Sequence, residues 1–333
     1  MSVPLRIVSL LPSATEICFA LGLGDWLVGV SHECDFPPQA RGKPVLTAPK
    51  IDAHVSSAEI DRQVNSLVSQ GLSLYQIDEQ LLRELRPDLI LTQDVCKVCA
   101  VPFAEICEAT CRLLGAEVDI VSLAPRNLND VFEDIRQVGR VAGRDAAGEA
   151  LVAKLRGDLD DLRAQTSRLT HPKVLVLEWL DPPMVASHWT PELVRIAGGD
   201  PILGYDAEPS RPTEWERIAS ARPEVVLVAP CGFRVEQSLR EMAELMNRPG
   251  FAQSPAVESG RVAVADGSSY FNRSGPRLVE SAEIAALAIH PEQFRGRLQF
   301  GREALVPWSQ LHSEERQHFT STNERGESCS QPY

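Results

Sequence analysis

The chain has 333 residues, of which 44% are hydrophobic and 24% are charged, and its formal net charge is −13. This length suits two domains of about 150 residues each. The acidic balance, without clustered Lys and Arg, disfavours a nucleic-acid-binding protein, and no run of about 18 apolar residues indicates a membrane span.

The N-terminus and the cysteines bear on the cellular compartment. Residues 1–11, MSVPLRIVSLL, lack the basic segment, the apolar core and the cleavage site that mark a signal peptide. The chain has eight cysteines, which are too few for a disulfide scaffold at this length. These features predict a cytoplasmic protein, or a periplasmic or cell-surface protein if a leader has been removed.

The first half of the chain alternates strand and helix patterns. Strands are predicted at residues 6–11, 26–30, 88–91 and 117–121, and helices at residues 13–22, 56–69, 78–85 and 102–114. Ser13 and Glu16 have the spacing of a capping box at the start of the first helix. Strands that alternate with helices predict a parallel sheet with helices on its faces.

Residues 127–169 follow a helical period without a strand. The apolar positions are Leu128, Val131, Ile135, Val138, Ala142, Leu151, Leu155, Leu159 and Leu162. A single helix of about 40 residues would span roughly 60 Å, which is longer than one small domain. The pattern therefore predicts a long helix that acts as a rigid connection between two α/β halves.

The second half repeats features of the first. Residues 222–231 (RPEVVLVAPC) have the same order of helix breaker, acid, apolar run and cysteine as residues 86–96 (RPDLILTQDVC). Further strands are predicted at residues 173–180 and 261–265, with helices at residues 235–247 and 277–289. The predicted organisation is an N-terminal α/β lobe (1–125), a connecting helix (126–170), a C-terminal α/β lobe (171–292) and a polar tail (293–333) that is partly disordered.

The loops after the predicted strands carry reactive and aromatic side chains. In parallel sheets such loops converge on one edge, and two sheets that face each other would line a cleft. The candidate ligand-binding residues are His32, Cys34, Asp35, Phe36, Cys96, Cys99, Glu178, Trp179, His188, Trp189, Trp215, Cys231, Tyr270, Asn272 and Arg273.

Several of these residues allow more than one interpretation. The Cys96-x-x-Cys99 spacing suits a metal ion or dithiol chemistry, but a second such pair is missing, and the thiols could simply line a pocket or pack. His32 and His188 could be axial ligands of a metal centre or polar loop residues. The aromatic side chains could stack on a large planar ligand or pack between lobes. No phosphate-binding loop, nucleophile elbow or His-Glu-x-x-His motif favours an enzyme.

Several segments together resemble a known family. They are residues 11–16 (LPSATE), 31–37 (SHECDFP), 91–100 (LTQDVCKVCA), 178–183 (EWLDPP), 230–232 (PCG) and 270–277 (YFNRSGPR). As a set they resemble the cobalamin-binding branch of the substrate-binding proteins that serve cobalamin, haem and siderophore importers, in a form without a leader. The resemblance covers roughly residues 5–292.

The resemblance implies an α/β clamshell of the class III periplasmic-binding-protein type. Two Rossmann-like lobes would be joined by one long helix, with the ligand between them and aromatic residues against the corrin. The first hypothesis is a non-enzymatic corrinoid binder, possibly the partner of an ABC importer permease, with Phe36, Trp179, Trp189, Trp215 and Tyr270 as contact surfaces. The alternatives are a cytosolic metal- or thiol-dependent enzyme of corrinoid or tetrapyrrole handling, with a metal ion at Cys96 and Cys99, and a binder of haem or an iron chelate.

Overall fold

The computed structural model describes residues 4–70, 73–93, 118–296 and 300–311. The described residues belong to two compact units. Unit 1 contains those within Met1–Val55, Glu59–Asp158 and Arg273–Val279, and unit 2 contains those within Ser56–Ala58, Leu159–Asn272 and Glu280–Tyr333. The predicted domain boundaries stay predictions, although the chain enters each unit more than once.

The first half of the chain forms a parallel sheet, as predicted. Its elements are β1 (Ile7–Ser9), α1 (Pro12–Ala20), β2 (Leu27–Val30), β3 (Thr47–Pro49), α2 (Ser57–Ser69), β4 (Tyr75–Ile77), α3 (Glu79–Leu85), β5 (Leu89–Gln93) and β6 (Asp119–Leu123). The strand order is β2-β1-β5-β6, and each neighbouring pair is parallel. Strands β3 and β4 form a separate antiparallel pair. The helix predicted at residues 102–114 lies outside the described residues.

The central strands of this sheet are buried on both faces. Ile7 of β1 lies opposite Leu89 of β5, and Leu91 lies opposite Val121 of β6. All four side chains are buried. A parallel strand covered on both sides needs a continuous apolar run instead of an alternating pattern, which is why residues 89–91 could be recognised from sequence.

The long helix predicted at residues 127–169 is in fact two helices, α4 (Leu128–Val141) and α5 (Asp145–Thr166). Gly143 lies between them with φ +64°, the left-handed conformation in which helices commonly end. Helix α5 has 22 residues and is about 33 Å long. Its residues pass from unit 1 to unit 2 after Asp158. The boundary between the two units along the chain therefore falls within α5.

Two glycines explain how α4 and α5 fold back on each other. A Cβ atom placed on Gly139 would lie 3.2 Å from the Arg144 carbonyl oxygen and 3.4 Å from the Gly148 Cα. Because neither glycine has a side chain, the backbones of the two helices approach closely at this point. Gly139 and Gly148 therefore form a close contact between two helices.

The second half of the chain forms a larger mixed sheet. Its elements are β7 (Lys173–Leu180), β8 (Pro183–Val185), α6 (Thr190–Ile196), β9 (Asp200–Pro201), α7 (Trp215–Ala221), β10 (Val225–Val228), α8 (Val235–Asn247), α9 (Pro255–Glu258), β11 (Val262–Ala265), α10 (Leu278–Ile289), α11 (Pro291–Phe294) and β12 (Leu305–Pro307). The strand order is β12-β11-β10-β7-β8, and β9 also pairs with β7. Strands β7, β10 and β11 are parallel, whereas β8 and β12 are antiparallel.

The polar tail predicted from residue 293 onward contains an ordered strand that the sequence did not reveal. Ala263 of β11 pairs with Pro307 of β12, and Ala265 pairs with Leu305. Trp308, directly after the strand, is buried in the hydrophobic core of unit 2. Three residues are too few to show a strand period, so this edge strand was missed. Residues 312–333 lie outside the described residues.

The internal repeat seen in the sequence has a matching geometry. Arg86 ends α3 and Arg222 ends α7, both in the left-handed conformation, with φ of 43° and 50°. The acid two positions later accepts a hydrogen bond from a backbone N–H beside the first strand of its unit. Asp88 Oδ2 accepts from Arg6, and Glu224 Oε2 accepts from Lys173, each at 2.7 Å. The two segments therefore play equivalent parts in two similar α/β units.

Candidate functional site

The carboxyl ends of three parallel strands bring several predicted residues together in unit 2. Glu178 lies near the end of β7, Cys231 follows β10 and Asn272 follows β11. The Cys231 backbone N–H donates to the Glu178 carbonyl oxygen at 2.9 Å. The Asn272 Nδ2 donates to the carbonyl oxygens of Ala229 and Gly267, at 3.2 and 3.0 Å. These bonds join the three loops into one edge of the sheet, as the parallel topology predicted.

Three aromatic side chains of this edge are fixed by polar and ring contacts. The indole N–H of Trp179 donates to the Asp181 carbonyl oxygen at 3.2 Å, and that of Trp189 donates to the Phe271 carbonyl oxygen at 3.0 Å. The Tyr270 ring lies edge-on to Phe300, with 6.2 Å between centroids. All three aromatic residues are half-buried. Because both indole N–H groups are paired, the accessible part of each indole is apolar ring surface, which suits a planar ligand.

His188 has an unusual local environment. Its backbone has φ +55°, and its ring lies 5.5 Å from the Trp189 ring at 29°. The buried Nδ1 has no hydrogen-bond partner among the described residues. Burial lowers the pKa of His188, so the imidazole is neutral at neutral pH and keeps a lone pair on one nitrogen. Axial ligation, one of the predicted roles, needs this neutral form because the metal binds the nitrogen lone pair.

Glu178 and Trp215 are held by neighbouring side chains of unit 2. The Ser210 hydroxyl donates to Glu178 Oε2 at 2.8 Å. Trp215 is the first residue of α7, packs edge-on against Phe251 at 5.7 Å, and has the Arg248 guanidinium over its ring at 5.1 Å. The contacts of Trp215 support the packing interpretation for at least one face of this residue.

Gly267 sets the backbone path at this edge. It begins a π-helical turn, Gly267–Phe271, and a Cβ atom there would lie 2.1 Å from the Pro230 carbonyl oxygen and 2.6 Å from that of Ala229. Gly267→Ala should therefore lower the free energy of unfolding by about 1–3 kcal/mol. The control is Gly157→Ala in α5, where a Cβ meets nothing within 4 Å and helix propensity should add up to about 1 kcal/mol. Equal midpoints of guanidinium-induced unfolding for the two variants would refute the interpretation that the close contacts at Gly267 exclude a side chain.

In unit 1 the loop after β2 carries His32 and Cys34. The Nδ1 of His32 lies 2.7 Å from the Thr47 hydroxyl, and Nε2 lies 3.3 Å from Glu33 Oε1. Cys34 is buried, its sulfur accepts from the Thr15 hydroxyl at 3.0 Å, and burial raises the pKa of its thiol. Both His32 nitrogens thus face protein groups, and the placement of Cys34 favours packing over ligand contact.

Asp35, Phe36 and Arg273 join a cluster of charged side chains in unit 1. Arg273 Nη1 donates to Asp35 Oδ1 at 2.6 Å and to Glu16 Oε1 at 3.2 Å. Arg277 donates to both oxygens of Glu16, at 2.9 and 2.5 Å. The Arg277 guanidinium lies over the Phe36 ring at 4.0 Å. Glu16 therefore holds the two arginines that contact Asp35 and Phe36.

The capping box predicted for Glu16 is wrong. Helix α1 begins at Pro12, whose missing N–H is not needed in a first turn, so Ser13 lies inside the helix instead of at its N-cap. The Glu16 side chain is 2% exposed. A carboxylate among the buried residues Ala14, Ile17 and Cys18 needs a cationic partner. The apolar neighbours of Glu16 therefore indicate from the sequence that a partner such as Arg277 exists, although Arg277 is not among the predicted site residues.

The predicted metal ligands Cys96 and Cys99 lie outside the described residues. Cys18, Cys34 and Cys231 are free thiols. Within residues 4–70, 73–93, 118–296 and 300–311, no group of three or more His, Cys, Asp or Glu side chains is placed to hold a metal ion. No helix in the same ranges is long and apolar enough to cross a membrane.

Comparison with known proteins identifies the class. Residues 7–268 match the family described as periplasmic binding protein, and the chain belongs to that family. It is 26% identical over 281 residues to a vitamin B12-binding protein of Vibrio cholerae, covering 84% of this chain and 86% of that one. This likeness confirms the resemblance to the cobalamin, haem and siderophore branch.

Two further similarities extend the comparison. The chain is 25% identical over 299 residues to an uncharacterized ABC transporter substrate-binding lipoprotein, YvrC, of Bacillus subtilis, covering 88% of this chain and 82% of that one. The structure of a periplasmic haem-binding protein, RhuT, from Roseiflexus sp. RS-1 matches with a TM-score of 0.64 and 23% identity, covering 87% of this chain and 100% of that one. The class III periplasmic-binding-protein fold is thus confirmed. The expected cytoplasmic location finds no support in this comparison, because RhuT is described as periplasmic and YvrC as a lipoprotein.

Proposed function

We propose that the chain binds a corrinoid of the cobalamin type without chemical conversion, as the substrate-binding component of an ABC importer. The observation that carries this proposal is the set of half-buried aromatic rings at the sheet edge of unit 2, with Trp179 and Trp189 fixed through their indole N–H groups. Large fixed rings contribute apolar contact area at a small cost in side-chain entropy. The likeness to a vitamin B12-binding protein over most of both chains supports a corrinoid.

Haem or an iron chelate is the second candidate ligand. The fold likeness to a haem-binding protein favours it, and the same aromatic surfaces suit any planar macrocycle. The His188 imidazole, whose pKa burial lowers, is neutral at neutral pH and keeps the nitrogen lone pair that axial ligation of either cobalt or iron requires. The predicted position of the ligand between two lobes stays a prediction.

The relatives support the predicted permease partner and favour a binding role over the enzymatic alternative. An ABC importer permease is the proposed partner, supported by the likeness to an ABC transporter substrate-binding lipoprotein. The alternative of a metal- or thiol-dependent enzyme depended on Cys96 and Cys99, which the described residues do not include. Membership of a binding-protein family supports a binding role in preference to that alternative.

Titration of the purified chain with cyanocobalamin tests the proposal. Trp189→Ala should weaken binding by about tenfold to a hundredfold, since truncating a central tryptophan of a binding site commonly costs about 2 kcal/mol or more. The matched control is Trp26→Ala in unit 1, where Arg144 lies over the indole at 5.2 Å, and its affinity should match the wild type. Unchanged affinity in Trp189→Ala, or equal losses in both variants, would contradict the assigned site.

A further inference from the structure

Residues 203–210 of unit 2 lie along the short segment that carries His188. The His188 backbone N–H donates to the Glu208 carbonyl oxygen at 3.0 Å, and the His188 carbonyl oxygen accepts from the Ala207 N–H at 3.2 Å. The backbone of His188 also forms an isolated parallel bridge with Asp206. Both backbone polar groups of His188 are therefore bonded to residues 203–210, which fixes the position of this residue in unit 2.

Two serine hydroxyls add side-chain hydrogen bonds to the same contact. The Ser187 hydroxyl oxygen accepts from the Tyr205 backbone N–H at 3.1 Å. The Ser210 hydroxyl oxygen accepts from the Ser187 backbone N–H at 3.0 Å and donates to Glu178 Oε2 at 2.8 Å. Because Ser187 directly precedes His188, the Ser210 hydroxyl links the backbone beside His188 to the Glu178 carboxylate.

The backbone of this contact has an unusual conformation. His188, Leu203 and Ala207 have φ of +55°, +65° and +58°, a left-handed conformation that is unfavourable for residues with a Cβ atom. The other described non-glycine residues with positive φ, Arg86 and Arg222, end helices, whereas these three lie in connections between helices and strands. Strained residues persist where surrounding contacts hold them, and they cluster at ligand-binding and catalytic sites.

We infer that the Ser187 and Ser210 hydroxyls are positioning groups, which hold residues 188–189 in the conformation that binds the ligand. The inference rests on the proposed function, which assigns Trp189 to the ligand site. The His188 ring stacks on the Trp189 ring at 5.5 Å and 29°, so a shift of the His188 backbone would remove one support of the indole. Ser187 is 3% exposed, and its hydroxyl therefore affects binding through its neighbours and not by touching the ligand.

The affinity of the full-length chain for cyanocobalamin measures this positioning. Ser187→Ala and Ser210→Ala should each weaken binding by about twofold to tenfold, the factor that corresponds to one lost hydrogen bond. Ser210→Thr keeps a hydroxyl that can donate and accept, and it should restore most of the affinity. The matched control is Ser167→Ala, which removes an exposed hydroxyl of unit 2 that donates to the Ala164 carbonyl oxygen at 3.0 Å. Its affinity should equal that of the wild type.

A double-mutant cycle separates positioning from a general loss of stability. In a Trp189→Ala background, Ser210→Ala should weaken binding by a clearly smaller factor than in the wild type, because the ring that it helps to hold is gone. Thermal unfolding would verify that each variant is folded at the temperature of the titration. If Ser210→Ala does not fold, Ser187→Ala takes its place in the cycle.

Two outcomes would overturn the inference while corrinoid binding by the wild type stands. One is unchanged affinity in both Ser187→Ala and Ser210→Ala, and the other is the same loss in the wild-type and Trp189→Ala backgrounds. Failure of the wild type to bind cyanocobalamin would instead refute the proposed function itself, and the inference with it.

Discussion

Replacing Glu16 with alanine is expected to lower the free energy of unfolding by about 3–5 kcal/mol, the usual cost of removing one partner from a buried ion pair. The carboxylate accepts bonds from two arginines that are themselves nearly inaccessible. Its loss leaves buried positive charge that only part of the cluster still compensates. Guanidinium denaturation of the variant and the wild type would measure the difference.

The exposed pair of Glu59 and Arg62 in α2 is the matched control for Glu16. Its side chains are 40% and 67% exposed, so Glu59→Ala should cost less than about 1 kcal/mol. Glu16→Gln should fall between the two, because it keeps the shape and one acceptor but loses the charge. Similar losses for Glu16→Ala and Glu59→Ala would show that the buried cluster does not stabilise unit 1.

Replacing Asp134 with asparagine is expected to stabilise the protein at alkaline pH. Asp134 lies in α4 and is 8% exposed, and its Oδ2 has no hydrogen-bond partner among the described residues. Burial, followed by the nearby charges of Asp130 and Glu133, raises the pKa of Asp134 to about 7 from 3.8. An ionised carboxylate in this place therefore opposes folding.

The pH dependence of the Asp134→Asn effect follows from the direction of the pKa shift of Asp134, which is upward. A carboxyl group with a raised pKa in the folded state binds more protons folded than unfolded, so its contribution weakens stability as pH rises from about 4 to about 7. At about 1.4 kcal/mol per pH unit the full penalty is on the order of 4 kcal/mol above pH 7, and it vanishes near pH 4. Unfolding of Asp134→Asn should thus differ from the wild type at pH 8 and hardly at pH 4.

The exposed Asp119 of β6 provides the comparison for Asp134. Asp119→Asn should change stability little at either pH. A stabilising effect of Asp134→Asn that is the same at pH 4 and pH 8 would contradict an ionisation penalty and would point to a packing effect instead.

Much of the fold could be predicted because burial leaves a direct trace in the sequence. Strands β5 and β10 are short apolar runs preceded by Arg-Pro and an acid, and the structure gives both the same helix end and the same backbone hydrogen bond. These runs are continuous because both faces of a parallel sheet are covered. Local pattern and tertiary environment agree in these segments.

The features that could not be predicted depend on contacts between distant residues. To predict the turn after α4, one would need to know that Gly143 ends a helix whereas Gly139 and Gly148 remain helical. Only the packing of α4 on α5 distinguishes Gly143 from the other two glycines. Strand β12 is defined by pairing with β11. The partners of Glu16 lie more than 250 residues further along the chain, so spacing along one helix suggested a cap.

Some residues of the candidate site could be predicted and others could not, because contacts between distant residues decide where a side chain lies. Residues that directly follow strands, such as Glu178, Cys231 and Asn272, meet at one edge because sheet topology places them there. Cys34 follows a strand as well, yet its sulfur packs against Thr15 inside unit 1. Residue type and loop position alone do not determine the direction of a side chain.

Equilibrium dialysis of the purified chain against cyanocobalamin, with haemin as competitor, is the most direct test of corrinoid binding. We expect saturable, stoichiometric retention of cyanocobalamin that a comparable concentration of haemin displaces poorly. No retention of cyanocobalamin, together with saturable retention of haemin, would contradict corrinoid binding and identify the chain as a haem binder.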